Sequence, residues 1–549
     1  MIKLTTDKTR LADSFGLDAQ KSLLFSAIRL DSSPLVAPII ADTTDGEVLL
    51  VRQQEQGNAL SAGVPKERMR FYAPWVTIDP RIIADTPASA SLATLVEELA
   101  EGEQVGLDSG VVMKHYSTLS KSLDVVADKQ PTTPVVAYEI DTAVVLERFS
   151  RWRELGAETA TRLIADVEHL DGLSKEIQSQ TDTRYSALQS MAKDRGLDAV
   201  VISAPPNFSE VVGTQQSEGQ LAVWSTQDEK LYVLAPETAH GVSGTPVGRF
   251  AGFGAAAVAL AHGNQIGVEE EWIATGLALE LEAEGAVLNE LSTALGHWRD
   301  VRDHEDLGFQ IVAARCSVFA IEEALKWAEE SLAAGLEFTE LDIYARYVDK
   351  IVEFRTENVI PFAVEPYFTN LHSSNRMLFP GPPVDFPIND DTKCIQLDAG
   401  VRITFDGITV ATSDMARSLP RTDGAKEAYE FFFDVVREGI IGQLRPGVVC
   451  EDVHAGTLDY LAPHLGRMIE IGMLGEEVDF NTEYRKRNVG HLMGKQESFA
   501  NELRPGYKHV LDVGSFGAAE IPWRYGNVAI GTEDLWYIGA DRTYILSKR

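Results

Sequence analysis

Residues 394–419 read CIQLDAGVRITFDGITVATSDMARSL. Apolar and β-branched residues flank a Phe-Asp-Gly turn, which predicts paired strands. Each run carries one acidic residue where an apolar one belongs: Asp398 after Ile395 and Leu397, and Asp414 after a Thr/Val/Ala run. A carboxylate inside a sheet is costly unless it is paired or bound to a cation. Sites built mainly of carboxylate oxygens with one imidazole suit Mn²⁺, Fe²⁺, Co²⁺ or Zn²⁺, and shared carboxylates hold two such ions. If these aspartates are ligands, the chain must supply the rest further on.

It offers them in order. NVGHLMGKQES (488–498) sets His491 between glycines that let backbone pack closely around a fixed imidazole. PGYKHVLDVG (505–514) ends an apolar strand on Asp512, and AIGTEDLWYIG (529–539) puts Glu533 just ahead of another strand. Glu520, in GAAEIPW, competes with Asp512 for the same place. Arg417 is expected to pair with a nearby carboxylate, and His454 and His464 read as structural histidines on helices.

The 549 residues are too many for one core, and 44% apolar with 24% charged content is that of a globular protein. A net charge of −34 disfavours nucleic acid and anionic membranes as partners. Three scattered cysteines, Cys316, Cys394 and Cys450, fit neither a disulfide framework nor a thiolate zinc site. With no signal-like apolar core at the N-terminus and no long apolar run, the expected location is the cytoplasm.

GEQVGLD (102–108) is echoed by GNQIGVE (263–269), each a short strand leading into a helical stretch. Upstream of each lies another strand, DGEVLLVRQ (45–53) and DEKLYVLAP (228–236). This predicts an α/β layered unit occurring twice. The expected division is a first unit at 1–180, including the helical stretch 146–180, a second at 181–305, and a C-terminal α+β domain at 306–549. The Pro-rich stretch FPGPPVDFPIND (379–390) reads as a loop.

The order LDAG, SDxxR, GHxxG, PGxxxxxDxG, EDLWYI resembles the pita-bread metallopeptidase superfamily, which includes methionine aminopeptidase, Xaa-Pro aminopeptidase, prolidase and creatinase. RPGVVCEDVHAGTLDYL (445–461) is similar to a helix-forming segment of that superfamily, and RYSALQSMAKDRGLDAVVIS (184–203) to the start of the creatinase-type N-terminal domain. Two such units ahead of a pita-bread domain resemble the three-domain Xaa-Pro aminopeptidase. The resemblance implies two divalent ions (Mn, Fe, Co or Zn) held by Asp398, Asp414, His491, Asp512 and Glu533, and a substrate-side role for His372. It implies hydrolysis of a C–N bond in a small peptide or amide-like substrate, and a homodimer.

The departures are specific. Asp398 and Asp414 are sixteen positions apart, wider than the superfamily's spacing, so an insertion near Phe405–Gly407 must be absorbed without flipping Asp414 to the other face. Seven residues after His491, where the peptidases carry a second histidine, this chain has Ser498, with Glu497 or Gln496 as the nearest substitutes. Two alternatives follow: a specialised small-molecule hydrolase or lyase on the same scaffold, and a catalytically inactive peptide-binding module.

Overall fold

The computed structural model describes residues 1–17, 34–74, 86–177, 181–374, 376, 381–484, 487–495, 498–521, 524–525 and 528–549. The echoing motifs fall on equivalent strands of two seven-stranded sheets. The first runs in the order Ala88–Ser89, Met69–Tyr72, Gly46–Arg52, Ile39–Thr43, Ile2–Thr5, Val105–Leu107, Val125–Ala127. The second runs Thr245–Phe250, Val135–Ile140, Lys230–Pro236, Leu221–Ser225, Ala199–Ile202, Gln265–Val268, Val287–Glu290. In both, an antiparallel meander is followed by two parallel strands reached through helical crossovers.

The expected boundary at 180/181 does not match the second sheet. Val135–Ile140 lies within it, antiparallel to both Lys230–Pro236 and Thr245–Phe250. The segment reads as the close of the first unit because it follows it directly. It crosses over and is paired on both sides there, Val135 and Ala137 joining one of that sheet's cores and Ile140 the other. The two units also touch through matching loops: Met113 N–H donates to the Ile273 carbonyl (2.9 Å) and Thr275 N–H to that of Val111 (2.8 Å).

Alternation along the second sheet feeds two cores. Val200, Ile202, Ala222 and Trp224 point to one, and Ala199, Val201 and Val223 to the other. The first of these cores is shared with the C-terminal domain. It is bridged by helix Thr142–Ile164, which crosses helix Leu307–Ala333 where Gly156 meets the Phe309 ring and Gly308 meets the backbone of Ala157. A Cβ at either glycine would collide, so the close crossing depends on both.

Helix Leu307–Ala333 is buried along most of its length and backs a sheet in the order Ala363–Ser373, Cys394–Phe405, Ile408–Thr412, with Met415–Pro420 also paired to Cys394–Phe405. A second sheet runs Ser498–Glu502, Gly490–Leu492, Phe516–Glu520, Glu533–Ile538, Thr543–Ile545. Its outer side packs on helices Asp423–Asp434 and Cys450–Leu461. Most of the Pro-rich stretch is loop where described, but Pro387–Ile388 forms a short ladder with Phe338–Thr339. No helix among the described residues is long and apolar enough to cross a membrane.

Candidate metal centre

The two aspartates of the opening stretch face the same way because the hairpin carries a bulge. Asp406 and Gly407, both at positive φ, form a two-residue turn between Phe405 and Ile408. Continued unbroken, that register would place Asp414 across from Ala399, on the face opposite Asp398. Between Thr404↔Thr409 and Ile403↔Ala411, however, Val410 is an extra residue, and the register shifts by one. The shifted register holds through Ala399↔Met415 and Asp398↔Ala416. Asp414 therefore lies across from Gly400, on Asp398's face. Gly400 is required because a side chain there would run into the Ser413 carbonyl.

The second sheet supplies the imidazole and two more carboxylates. His491 is central in the strand Gly490–Leu492 and 1% exposed. Its Nδ1 lies 2.9 Å from the Leu492 carbonyl. A carbonyl can only accept, so Nδ1 carries the proton and Nε2 keeps its lone pair for a ligand. Nε2 lies 3.7 Å from Asp414 Oδ2 and 3.8 Å from Glu533 Oε1. Gly490 at φ +134° permits this, since a Cβ would strike the Ala518 carbonyl. Across from His491 is Ala518, whose small side chain leaves room. Two residues on, Glu520 pairs directly with Glu533.

Asp414, His491 and Glu533 each present a ligand atom within 4.8 Å of one another, and all three are buried. The Glu533 carboxyl is pushed well above its usual range, first by burial and then by Asp414, Glu520 and Asp398. Three neighbouring carboxylates and an enclosed glutamate oxygen, with no cation of the chain between them among the described residues, form a donor set that fits divalent metal. Asp398 is held in place by Asn370, whose Nδ2 donates to its Oδ2 at 3.1 Å.

Asp512 is not brought to this group. It sits in an exposed turn, its Oδ1 accepting from the Val513 N–H (2.8 Å) and its N–H donating to Ser515 Oγ (2.9 Å). The turn precedes the Phe516 end of strand Phe516–Glu520, four residues from the Glu533 end, roughly 13 Å along a strand. The carboxylate that reaches the cluster is Glu520. Both acids close short apolar runs, and Gly514 at φ +95°, which ends the first run in a turn, was the available signal.

His372 is buried on Ala363–Ser373 across from Gln396, on Asp398's face. Ser498 starts a strand whose backbone pairs with Leu492. Glu497 and Gln496 lie outside the described residues. His454 is buried on its helix against the Arg487 carbonyl (3.0 Å), as a structural histidine.

Sequence reasoning missed how the two sheets are tied. Arg417 lies three residues after Asp414 and bonds to the segment that carries Glu533: to the Glu533 carbonyl (2.7 Å), Thr532 Oγ1 (3.2 Å), Asp534 Oδ1 (2.6 Å) and the Ser547 carbonyl (3.2 Å). Asp534 is fully buried and also takes Arg437 Nε (2.8 Å) and Ser547 Oγ (2.8 Å). Beyond His491, the Gly494 carbonyl accepts from Thr412 N–H (2.7 Å) and Oγ1 (3.0 Å). Lys495 then reaches into the second unit, pairing with Glu210 (3.1 Å), and to Asp306 (2.8 Å) just ahead of helix Leu307–Ala333. Arg302 pairs with Glu210 (2.7 Å) and Arg153 with Asp306 (2.8 Å), so this buried network joins the domains behind the site.

Residues 312–539 match the model of metallopeptidase family M24. No curated protein sequence matches the chain. Among solved structures it is similar to the X-prolyl aminopeptidase of Caenorhabditis elegans, described as a cytosolic enzyme with a dinuclear active site: TM-score 0.58, 14% identity, covering 99% of this chain and 85% of that one. It is similar to the prolidase of Pyrococcus horikoshii (TM-score 0.51, 17% identity, 67% of this chain, 98% of that one). It is also similar to the N-terminal domain of the FACT complex subunit SPT16 of chickpea (TM-score 0.52, 14% identity, 67% and 96%). The match to metallopeptidase family M24 thus covers the C-terminal domain, whose pita-bread fold follows two α/β units.

Proposed function

We propose that the protein is a metal-dependent hydrolase that cleaves the amide bond after the N-terminal residue of a peptide, of the Xaa-Pro aminopeptidase kind. The observation that carries this reading is the convergence of Asp398, Asp414, His491, Glu520 and Glu533 from two sheets into one enclosed cluster. Fold likeness does not separate enzyme from binding module, since prolidase and SPT16 domains resemble this chain about equally. The cluster does. Burying several carboxylates against one another costs stability, and a module that bound no metal would gain nothing from keeping them.

Asp398, Asp414, His491, Glu520 and Glu533 would hold two divalent ions, which when bound supply an activated water and polarise the attacked carbonyl. The protein's part is preorganisation. The Leu492 carbonyl keeps the lone pair of His491 on Nε2, Asn370 fixes Asp398, and Arg417 fixes the backbone under Glu533. The burial of Asp414, His491 and Glu533 excludes bulk water around them and strengthens each electrostatic contact. His372, on the face of Asp398, serves the substrate side.

The test is metal-stripped protein reconstituted separately with Mn²⁺, Fe²⁺, Co²⁺ and Zn²⁺ and assayed on Xaa-Pro peptides, Xaa-Pro dipeptides and methionyl peptides. Turnover of an unblocked peptide that is lost in Asp414→Ala supports the reading. Metal binding without turnover of any peptide favours a small-molecule substrate on the same scaffold. No metal binding under any condition leaves the binding module.

A further inference from the structure

A cavity of about 250 Å³ opens beside strand Met415–Pro420, between helix Leu307–Ala333 and helix Asp423–Asp434. The strand separates it from the acid cluster. Ala416 pairs with Asp398 and shares its face, so Arg417, the next residue, points the other way. Arg417 therefore lines the cavity while its guanidinium holds the Glu533 carbonyl and Asp534.

The lining is divided by chemistry. Leu325, Leu419 and the rings of Tyr429 and Phe433, which meet edge to face at 4.9 Å, supply an apolar surface. Glu322, Lys326 and Glu329 stand on successive turns of one helix beside it. That spacing would let Lys326 pair with either glutamate. Lys326 and Glu329 are nevertheless exposed and pair with nothing among the described residues. Glu322 meets Arg417 Nε at 3.5 Å and Arg549 Nη1 at 3.4 Å, both long for charge-assisted bonds. A cation between two anions, next to aliphatic and aromatic surface, complements an ammonium and a carboxylate carried on one apolar side chain. The volume lies below the roughly 300–1,000 Å³ of sites for drug-sized ligands, so it suits a single amino acid rather than a peptide.

We propose that this cavity binds a free α-amino acid with an aliphatic or aromatic side chain, and that its occupancy tightens the metal centre through Arg417. The ligand's ammonium group pairs with Glu322 and Glu329, its carboxylate with Lys326, and its side chain covers Leu325, Leu419 and Phe433. Once Glu322 is neutralised, its pull on Arg417 Nε falls, and the guanidinium is left to Asp534 and the Glu533 carbonyl. The binding is independent of the peptidase reading. Its meaning rests on that reading, because cleavage after an N-terminal residue releases such an amino acid, which then signals back to the centre that made it.

The experiment titrates full-length protein with L-leucine by calorimetry, with leucinamide as the analogue without a carboxylate and isocaproate as the one without an amine. Because an amino acid can also chelate a bound metal, metal-free wild type and Asp414→Ala/His491→Ala are compared first. Both are expected to bind leucine alike, and each analogue about tenfold or more weakly. Lys326→Met, an exposed substitution, should weaken leucine about tenfold and leave Mn²⁺ affinity unchanged when no leucine is present. Saturating leucine should raise the Mn²⁺ affinity of wild type about fivefold or more, and Mn²⁺ should raise leucine affinity by the same factor. No leucine binding to metal-free protein, or binding that Lys326→Met leaves intact, overturns the proposal. A rise in Mn²⁺ affinity that persists in Lys326→Met places leucine on the metal itself and overturns it too. Leucine binding with no effect on Mn²⁺ affinity overturns the coupling through Arg417. Leucine binding that Lys326→Met weakens, in a protein that hydrolyses no peptide, sustains the cavity and overturns the peptidase reading. Peptide hydrolysis by a protein that binds no leucine when metal-free does the reverse.

Discussion

Replacing Arg417 with methionine tests whether the two sheets are held in register by one side chain. Arg417 is 4% exposed and bonds to four groups around Glu533. Removing one partner of a buried pair costs about 3–5 kcal/mol. Here Asp534 keeps Arg437 and Ser547, which places the loss near the lower end, about 3 kcal/mol. For a domain of this size that is a fall in Tm of about 6–12 °C. The Glu533 carbonyl and Thr532 lose their tether as well, so Glu533 is no longer fixed relative to Asp414. Loss of such a supporting contact weakens metal binding by about 10–100-fold. Differential scanning calorimetry with and without Mn²⁺, together with titration calorimetry for the metal, reads both effects. Arg417→Lys should recover part of the Tm, since an ammonium still reaches Asp534, but little of the metal affinity. A variant with unchanged Tm and unchanged Mn²⁺ affinity would refute the reasoning. A lowered Tm with intact affinity would confine Arg417 to stability alone.

Deleting Val410 removes the bulge but leaves Ala411 across from Ile403, so Asp414 stays across from Gly400 on Asp398's face. The expected result is a folded domain by circular dichroism with Mn²⁺ affinity within about tenfold of wild type, and a loss of about 100-fold or more would count against the register argument. The buried network predicts an acid limb of stability. Burial pushes Asp306 up, but Arg153 and Lys495 outweigh it and hold the carboxyl down to about 2 from the ordinary 3.8. A carboxyl lowered on folding stabilises above its unfolded value, and that stability disappears as the pH falls through the folded one. About 2 kcal/mol is therefore present above pH ~4 and lost towards pH ~2. Glu210 is lowered in the same direction: burial raises it, while Lys495 and Arg302 more than offset the rise. Urea midpoints between pH 5 and pH 2.5 should fall more steeply for wild type than for Lys495→Met; equal slopes would refute the assignment.

The sequence carried the cluster residues that sit in or beside strands. Asp398, Asp414, His491 and Glu533 stand out because each interrupts or opens an apolar run, and the repeat is visible because equivalent strands keep equivalent residues. What it could not carry was register. Whether sixteen positions bring two aspartates to one face depends on a single extra residue, Val410, which no local pattern separates from its neighbours. Asp512 and Glu520 look alike as acids closing apolar stretches, and only pairing with Glu533 distinguishes them. Val135–Ile140 joins the second unit's sheet because a strand takes its partners from the sheet it packs in rather than from its neighbours in the chain. Arg417 was expected to find a carboxylate, but the finding that Asp534 and the Glu533 backbone are its partners needed the packing of two sheets.

The most direct test is metal stoichiometry by elemental analysis, with anomalous diffraction to place the ions, in wild type, Asp414→Ala/His491→Ala, Glu520→Gln and Asp512→Ala. The account predicts two divalent ions between the sheets in wild type and in Asp512→Ala, fewer in Glu520→Gln, and none in the double variant. Full occupancy in the double variant, or loss of metal in Asp512→Ala with none lost in Glu520→Gln, would contradict it.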